Sequence, residues 1–182
     1  MPQDDRPKDH LPRLTNPAYQ GKAVIHWNFT MEERRKGWLD KSFHQEFRWC
    51  LLHACARQRA ACPVYCLMPD HMHLLIAGWD ASSDQRLLVR FLRKHLAPTL
   101  AQRNVAWQKQ PYDHVLREQE REPGGFESVA HYILENPVRA SLVEHRSEWA
   151  FSGCIVPGYP ELSLSMSDYW QRYWRIVASR NK

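Results

Sequence analysis

Long apolar runs are missing from this 182-residue sequence. None approaches the roughly 20 residues that a membrane-spanning helix needs. The first residues, Met1 to Arg6, also lack the apolar region of a signal peptide. Cysteine occurs five times, an odd number, and no second pair stands at zinc-finger spacing, so free thiols are favoured over a disulfide framework. These absences lead us to expect a cytoplasmic protein with no membrane partner.

Acidic residues are absent from the whole segment between Asp84 and Asp113. Four basic residues in this segment recur at helical spacing and would form one solvent face: Arg86, Arg90, Arg93 and Lys94. A basic face without balancing acids is typical of a surface that binds phosphates and binds them less tightly as salt rises. A merely solvated helix face is the alternative. The net charge of +5 also favours an anionic partner.

The remaining composition is that of an ordinary globular domain. Hydrophobic residues make up 43% and charged residues 25% of the chain. Spaced prolines predict an irregular N-terminal arm over residues 1–21. We expect one domain over residues 22–155, followed by a C-terminal extension over residues 156–182 that contains an amphipathic helix.

The predicted elements follow the order strand, helix, strand, strand, helix, strand. The strands are expected at 23–30, 62–68, 71–78 and 112–118, and the two helices at about 40–59 and from 82–84 to about 98. Two further helices are expected at about 126–136 and 165–178. This order predicts an α+β two-layer sandwich, in which an antiparallel sheet carries helices packed on one face.

Two histidines stand two positions apart at the start of the third predicted strand. Alternation along a strand makes His71 and His73 project from the same face. Pro69 and Asp70 precede them as a turn, which places the pair near an end of the sheet. Two adjacent imidazoles are typical of a divalent metal site. A pair of structural histidines, one in the core and one at its rim, is the alternative.

The predicted helix at 126–136 carries a second polar pair. Tyr132 and Asn136 stand four residues apart, so their side chains point the same way. A tyrosine beside a metal site can act as a nucleophile, although its phenol needs a nearby cation to lose its proton readily. The amide oxygen of Asn136 would suit Mg²⁺ or Mn²⁺. An aromatic packed at a helix–sheet seam and an asparagine that caps the helix are the alternatives.

Four segments together resemble one known family. Residues Met68–His73 (MPDHMH) resemble the metal motif of the HUH single-tyrosine transposases, and His131–Ala140 (HYILENPVRA) resembles their catalytic helix. Tyr112–Arg117 (YDHVLR) is similar to the strand between the two, and Glu148–Ser152 (EWAFS) to a later segment. The resemblance covers about residues 20–155 and is closest to the REP-associated tyrosine transposases. The order and spacing of the four motifs carry it.

The resemblance implies a ferredoxin-like sandwich and a reaction on single-stranded or hairpin DNA. Tyr132 would attack a phosphodiester and form a 5′-phosphotyrosine link with a free 3′-OH. His71 and His73 would bind a divalent metal, Mg²⁺ or Mn²⁺, with Asn136 as third ligand. Arg139 and the basic helix face would contact the DNA backbone. The implied location is the bacterial cytosol or nucleoid.

Two other functions remain open on the sequence alone. One is a DNA-binding protein that uses the same fold without cutting. The other is an unrelated metal-dependent hydrolase that forms no covalent link to DNA. The sequence is compatible with a monomer or a homodimer, in which Tyr132 acts in its own subunit or in its partner.

Overall fold

The computed structural model describes residues 15–180. Most of the predicted arm, residues 1–14, therefore lies outside the described residues, as do Asn181 and Lys182. The part of the arm that is described forms a short 3-10 turn at Asn16–Tyr19. Tyr19 is buried there, with its ring 5.7 Å from the ring of Trp27. This end of the arm is thus anchored in the core of the domain.

Five strands in the described part of the chain form an antiparallel sheet in the order β4-β1-β3-β2-β5. They are β1 (Val24–Thr30), β2 (Ala60–Met68), β3 (His71–Gly78), β4 (Tyr112–Val115) and β5 (Ser152–Ile155). The predicted hairpin is confirmed, because β2 and β3 pair directly and Met68 stands opposite His71. His71 is therefore the first residue of the central strand.

Six α-helices accompany the sheet in residues 15–180. They are α1 (Lys41–Arg57), α2 (Gln85–Gln102), α3 (Glu118–Arg121), α4 (Pro123–Leu134), α5 (Asn136–Arg139) and α6 (Tyr169–Arg180). Carboxylates begin the two longest helices, since Asp40 accepts a hydrogen bond from the backbone N–H of Phe43, and Asp84 from that of Arg86. The periodicity of the sequence predicts both helices within a few residues of their ends.

Helices α1 and α2 cover one face of the sheet. Alternation sends Trp27 of β1 and Leu74 of β3 to this face, where they join Phe47 of α1 and Leu92 of α2 in one buried cluster. The indole N–H of Trp27 also donates a 3.0 Å hydrogen bond to Gln85 at the start of α2. The predicted α+β fold, an antiparallel sheet with helices packed on it, is confirmed.

Helices α4 and α6 pack on the opposite face. Phe126 of α4 lies with its ring 6.0, 5.7 and 5.1 Å from the rings of Trp170, Tyr173 and Trp174 of α6. The prediction of helices on one face holds for α1 and α2. The other face is covered as well, by α4 and α6. They do so because each carries an apolar stripe that is stable only when buried.

The fifth strand and the end of the fourth differ from the prediction. The sequence does not indicate β5, because its four residues are too few to show an alternating pattern. β4 ends at Val115 instead of continuing to residue 118. The chain turns there into α3, whose Glu120 carboxylate accepts a 2.8 Å hydrogen bond from the backbone N–H of Arg117.

The two later helices begin at other residues than expected. α4 starts at Pro123, three residues earlier, because proline at the first helical position is compatible with the helix. α6 starts at Tyr169, four residues later than predicted. No helix in residues 15–180 is long and apolar enough to cross a membrane. All five cysteines are free thiols, as predicted.

Candidate active site

The predicted histidine pair lies on the face of the sheet that α4 covers. His73 stands opposite Asn28 of β1, and His71 stands opposite Thr30. The two imidazoles contact each other through their Nε2 atoms, which are 3.0 Å apart. His73 is 4% exposed, so this contact is screened from solvent.

A carboxylate contacts the other ring nitrogen of His71. Its Nδ1 lies 2.6 Å from Asp70, and Asp70 in turn pairs with Arg34 at 3.2 Å. Burial alone would raise the pKa of Asp70, but hydrogen bonds and charges from His71 and Arg34 hold that pKa below its usual range. An ionised Asp70 accepts the Nδ1 proton of His71 and leaves Nε2 with a lone pair.

A third histidine, which the sequence does not indicate, completes the row. His26 of β1 places its Nε2 3.0 Å from Nδ1 of His73. The polar residues His26, Asn28 and Thr30 alternate along β1, which was a usable signal for a polar face. The signal does not identify a partner for His26, because the partner depends on the β1–β3 register.

Burial keeps the inner two histidines neutral near neutral pH. Burial, together with the charges of His26, His71, Arg139 and Arg34, lowers the pKa of His73 to about 3. Burial and the charge of His114 lower the pKa of His26 to about 4. Neutral imidazoles keep the lone pair that a metal ion or a hydrogen-bond donor requires.

The geometry of the row fits a divalent ion at the two Nε2 atoms. Two ligand atoms 3.0 Å apart are spaced as neighbouring positions on an octahedral ion with bonds of about 2.1 Å. Within residues 15–180, no three or more His, Cys, Asp or Glu side chains are arranged to hold a metal. Neutral oxygens, such as an amide or water, are further ligands that suit Mg²⁺ or Mn²⁺.

Tyr132 of α4 projects towards this row. Its ring lies 6.5 Å from the ring of His73 and 6.4 Å from that of His26, in edge-to-face arrangements. The tyrosine remains 48% exposed. The guanidinium of Arg139 lies 4.8 Å from the centre of the tyrosine ring, so a fixed positive charge accompanies the phenol. The site thus combines an accessible tyrosine, a cation and two neutral imidazoles.

Asn136 lies at the junction of α4 and α5. Its amide nitrogen donates to the carbonyl oxygens of Tyr132, at 2.9 Å, and Ile133, at 3.1 Å. This is the helix-end contact considered as the alternative to metal binding. The contact uses the nitrogen only, so the amide oxygen is the atom that is available for a ligand role.

The predicted basic face lies on the other side of the sheet from Tyr132. Its residues, Arg86, Arg90, Arg93 and Lys94, line a cavity of about 600 Å³ together with Trp107 and Pro111. Arg93 also donates hydrogen bonds to the carbonyls of Gln108 and Lys109. Because α2 packs on Trp27 while His26 projects the opposite way, the structure does not bring these cations to the histidine row.

The fold and the site together define an α+β protein with an exposed tyrosine beside a row of three histidines whose central member, His73, is buried. No family model matches the chain. The chain is 21% identical over 143 residues to a Haemophilus influenzae protein named as a REP-associated tyrosine transposase, and the match covers 71% of this chain and 78% of that protein.

A solved structure shares this fold. It is that of a REP-associated tyrosine transposase bound to a REP hairpin, and it matches with a TM-score of 0.65 at 20% identity. The match covers 79% of this chain and 81% of the solved one. The resemblance to the REP-associated tyrosine transposases that the motifs predict is thereby confirmed.

Proposed function

We propose that the chain is a REP-associated tyrosine transposase that cleaves and rejoins single-stranded DNA beside a hairpin. The observation that carries the proposal is the accessible Tyr132, held beside the half-buried His71 and the buried His73 with Arg139 over its ring. The hairpin is proposed as substrate because the similar solved protein is bound to one. DNA as substrate also makes the cytosol the proposed compartment.

The proposed reaction is an in-line substitution at phosphorus. The Tyr132 oxygen forms a bond to phosphorus while the bond to the 3′ oxygen breaks. The phenol proton passes to solvent, and the departing 3′ oxygen takes up a proton from water. Rejoining is the reverse reaction with another 3′-OH, so the phosphoester is conserved and no nucleotide cofactor is needed.

The side chains around Tyr132 have distinct proposed roles. Arg139 attracts the phosphate and provides positive charge where the phenol loses its proton. His71 and His73, through Nε2, and Asn136, through its amide oxygen, would hold Mg²⁺ or Mn²⁺. When bound, the ion supplies Lewis-acid polarisation of the scissile phosphate.

The test is a covalent-adduct assay. End-labelled hairpin DNA with its flanking single strand is incubated with protein and Mg²⁺ or Mn²⁺ and separated on a denaturing protein gel. We expect label on the protein, lost with a chelator and lost in Tyr132→Phe. Tyr159→Phe is the matched control, since Tyr159 is a half-buried tyrosine on another segment, and its adduct should persist.

Two outcomes would overturn the proposal. Hairpin binding without adduct or cleavage would favour a non-cutting DNA-binding protein. Cleavage products without any adduct, unchanged in Tyr132→Phe, would favour metal-assisted hydrolysis.

A further inference from the structure

One motif shared with the transposases, residues Tyr112–Arg117, has no part in the proposed reaction. Three of its members have structural contacts. Asp113 accepts a 2.8 Å hydrogen bond from Tyr19, His114 pairs with Glu120 at 3.0 Å, and Leu116 is fully buried. Tyr112 is different, since it is 54% exposed.

The strand register places Tyr112 beside the histidine row. Tyr112 stands opposite Asn28 of β1, and Asn28 stands opposite His73 of β3. Residues directly opposite one another project from the same face, so the three side chains form one row across three strands. Each step in such a row is about 4.5–5.5 Å, which puts Tyr112 about 10 Å from His73.

Tyr112 also lies where the basic cavity meets the edge of the sheet. β4 is the outermost strand, and Pro111, directly before it, lines the cavity of α2. A DNA strand that contacts Arg90 or Lys94 on one face and Tyr132 on the other therefore passes over β4. The exposed ring of Tyr112 lies on that path.

We propose that Tyr112 is a stacking platform for an unpaired base of the substrate strand. An exposed aromatic ring on a sheet surface can stack any base, because every base has a π-face. At about 10 Å from His73, the stacked base would lie within about three nucleotides of the scissile phosphate. This inference rests on the proposed function, because it takes Tyr132 as the point of cleavage.

The test measures the binding of side-chain variants to DNA probes that each lack one base. The probes are the hairpin with its flanking strand and a series with one abasic position each along that strand. Binding is measured by fluorescence anisotropy for the wild type, Tyr112→Ala, Tyr112→Leu and Tyr112→Phe. Trp49→Ala is the matched control, since Trp49 is a 58% exposed aromatic residue on α1.

We expect Tyr112→Ala and Tyr112→Leu to weaken binding of intact DNA by about 5- to 150-fold, the range for base–aromatic stacking. Tyr112→Phe keeps the ring and should bind as the wild type does, as should Trp49→Ala. When the abasic position is the one that stacks on Tyr112, the affinity of the wild type should fall by the same factor. The affinity of the alanine and leucine variants should not fall further at that position. The salt dependence of binding should not change, because stacking releases no counterions.

The experiment distinguishes a failure of the stacking role of Tyr112 from a failure of the proposed transposase function. Suppose that the wild type forms the adduct, but the affinity of the alanine and leucine variants equals that of the wild type on all probes or is lowered equally on every probe. The role of Tyr112 as a stacking platform is then wrong, while the proposed transposase function stands. If no adduct forms, but removal of the Tyr112 ring and removal of one particular base have the same, non-additive effect on affinity, Tyr112 is a DNA-binding site and the proposed cleavage is wrong. Two ring-deleting variants are used so that misfolding of one leaves the other informative.

Discussion

At the residue scale, four ionisable side chains are joined end to end: His26, His73, His71 and Asp70. Asp70 fixes the proton of His71 on Nδ1. If Nε2 of His73 is a ligand, its Nδ1 carries the proton and donates it to His26. His26 is therefore a positioning residue for His73, as outer partners commonly are for metal-bound imidazoles.

The first prediction concerns this outer partner. His26→Leu should weaken Mn²⁺ binding by about 10- to 100-fold, because Nδ1 of His73 loses its acceptor and the ring its orientation. His26→Gln, whose amide oxygen can accept the same proton, should restore part of the affinity. Manganese binding to the free protein is measured by electron paramagnetic resonance, independently of DNA cleavage.

The control for this prediction is a histidine far from the row. His53→Leu replaces an exposed histidine of α1 and should leave manganese affinity unchanged. Equal affinity in His26→Leu and the wild type would contradict the role given to His26. A similar loss in His53→Leu would show that the measurement reports nonspecific binding.

The sequence predicts part of this site for physical reasons. His71 and His73 are recognisable because alternation within one strand is a local property, and Tyr132 because its helix is periodic. His26 is not recognisable, because its contact with His73 depends on the pairing of strands 47 residues apart in sequence. Long-range register has no local signature.

At the element scale, β5 pairs with β2 through a close approach that only glycine allows. Gly153 stands opposite Tyr65, whose hydroxyl accepts a 2.6 Å hydrogen bond from Arg48 and lies 2.9 Å from His44. A Cβ at Gly153 would collide with the tyrosine hydroxyl and would lie 3.0 Å from the guanidinium of Arg48. Because Gly153 has no side chain, the hydrogen-bonded cluster of Tyr65, Arg48 and His44 fits against the edge strand β5.

The second prediction compares two glycines by urea unfolding. Gly153→Ala should lower the free energy of unfolding by about 1–3 kcal/mol, because the buried ring of Tyr65 has little room to move. Gly124→Ala, in the first turn of α4 where nothing lies within 4 Å, should raise it by about 0.5–1 kcal/mol through helix propensity. Changes of the same sign in both variants would contradict this account.

Helix periodicity also explains what the sequence predicts at this scale. It identifies α1, α2 and the basic residues of α2, because their spacing is local. It does not say which face of the sheet α2 covers. The location of Arg90 and Lys94 across the sheet from Tyr132 is therefore a result of the tertiary structure.

At the scale of the whole molecule, one chain brings together Tyr132, Arg139 and the three histidines of the row. α4 packs on its own sheet, held by α6 through Phe126 and a 2.8 Å hydrogen bond from Trp174 to Glu127. Tyr132 thereby reaches the histidines of the same chain. We propose an active site that is complete within one subunit.

The third prediction tests that proposal by mixing inactive variants. Tyr132→Phe lacks the nucleophile, and the double variant His71→Ala, His73→Ala lacks the imidazoles. A mixture of the two should form no DNA adduct, because neither subunit has both parts. Restored adduct would show that subunits exchange the helix, and the wild type mixed with either variant gives the reference signal.

The two faces of the sheet have a consequence for where the DNA is cut. If the hairpin stem binds the basic residues of α2 and Tyr132 makes the cut, the strand between them would cross the edge at β4, where Pro111 lines the cavity of α2. The thickness of the protein at that edge would then set the number of unpaired nucleotides between the foot of the stem and the cut. The cleavage position would follow from the dimensions of the protein.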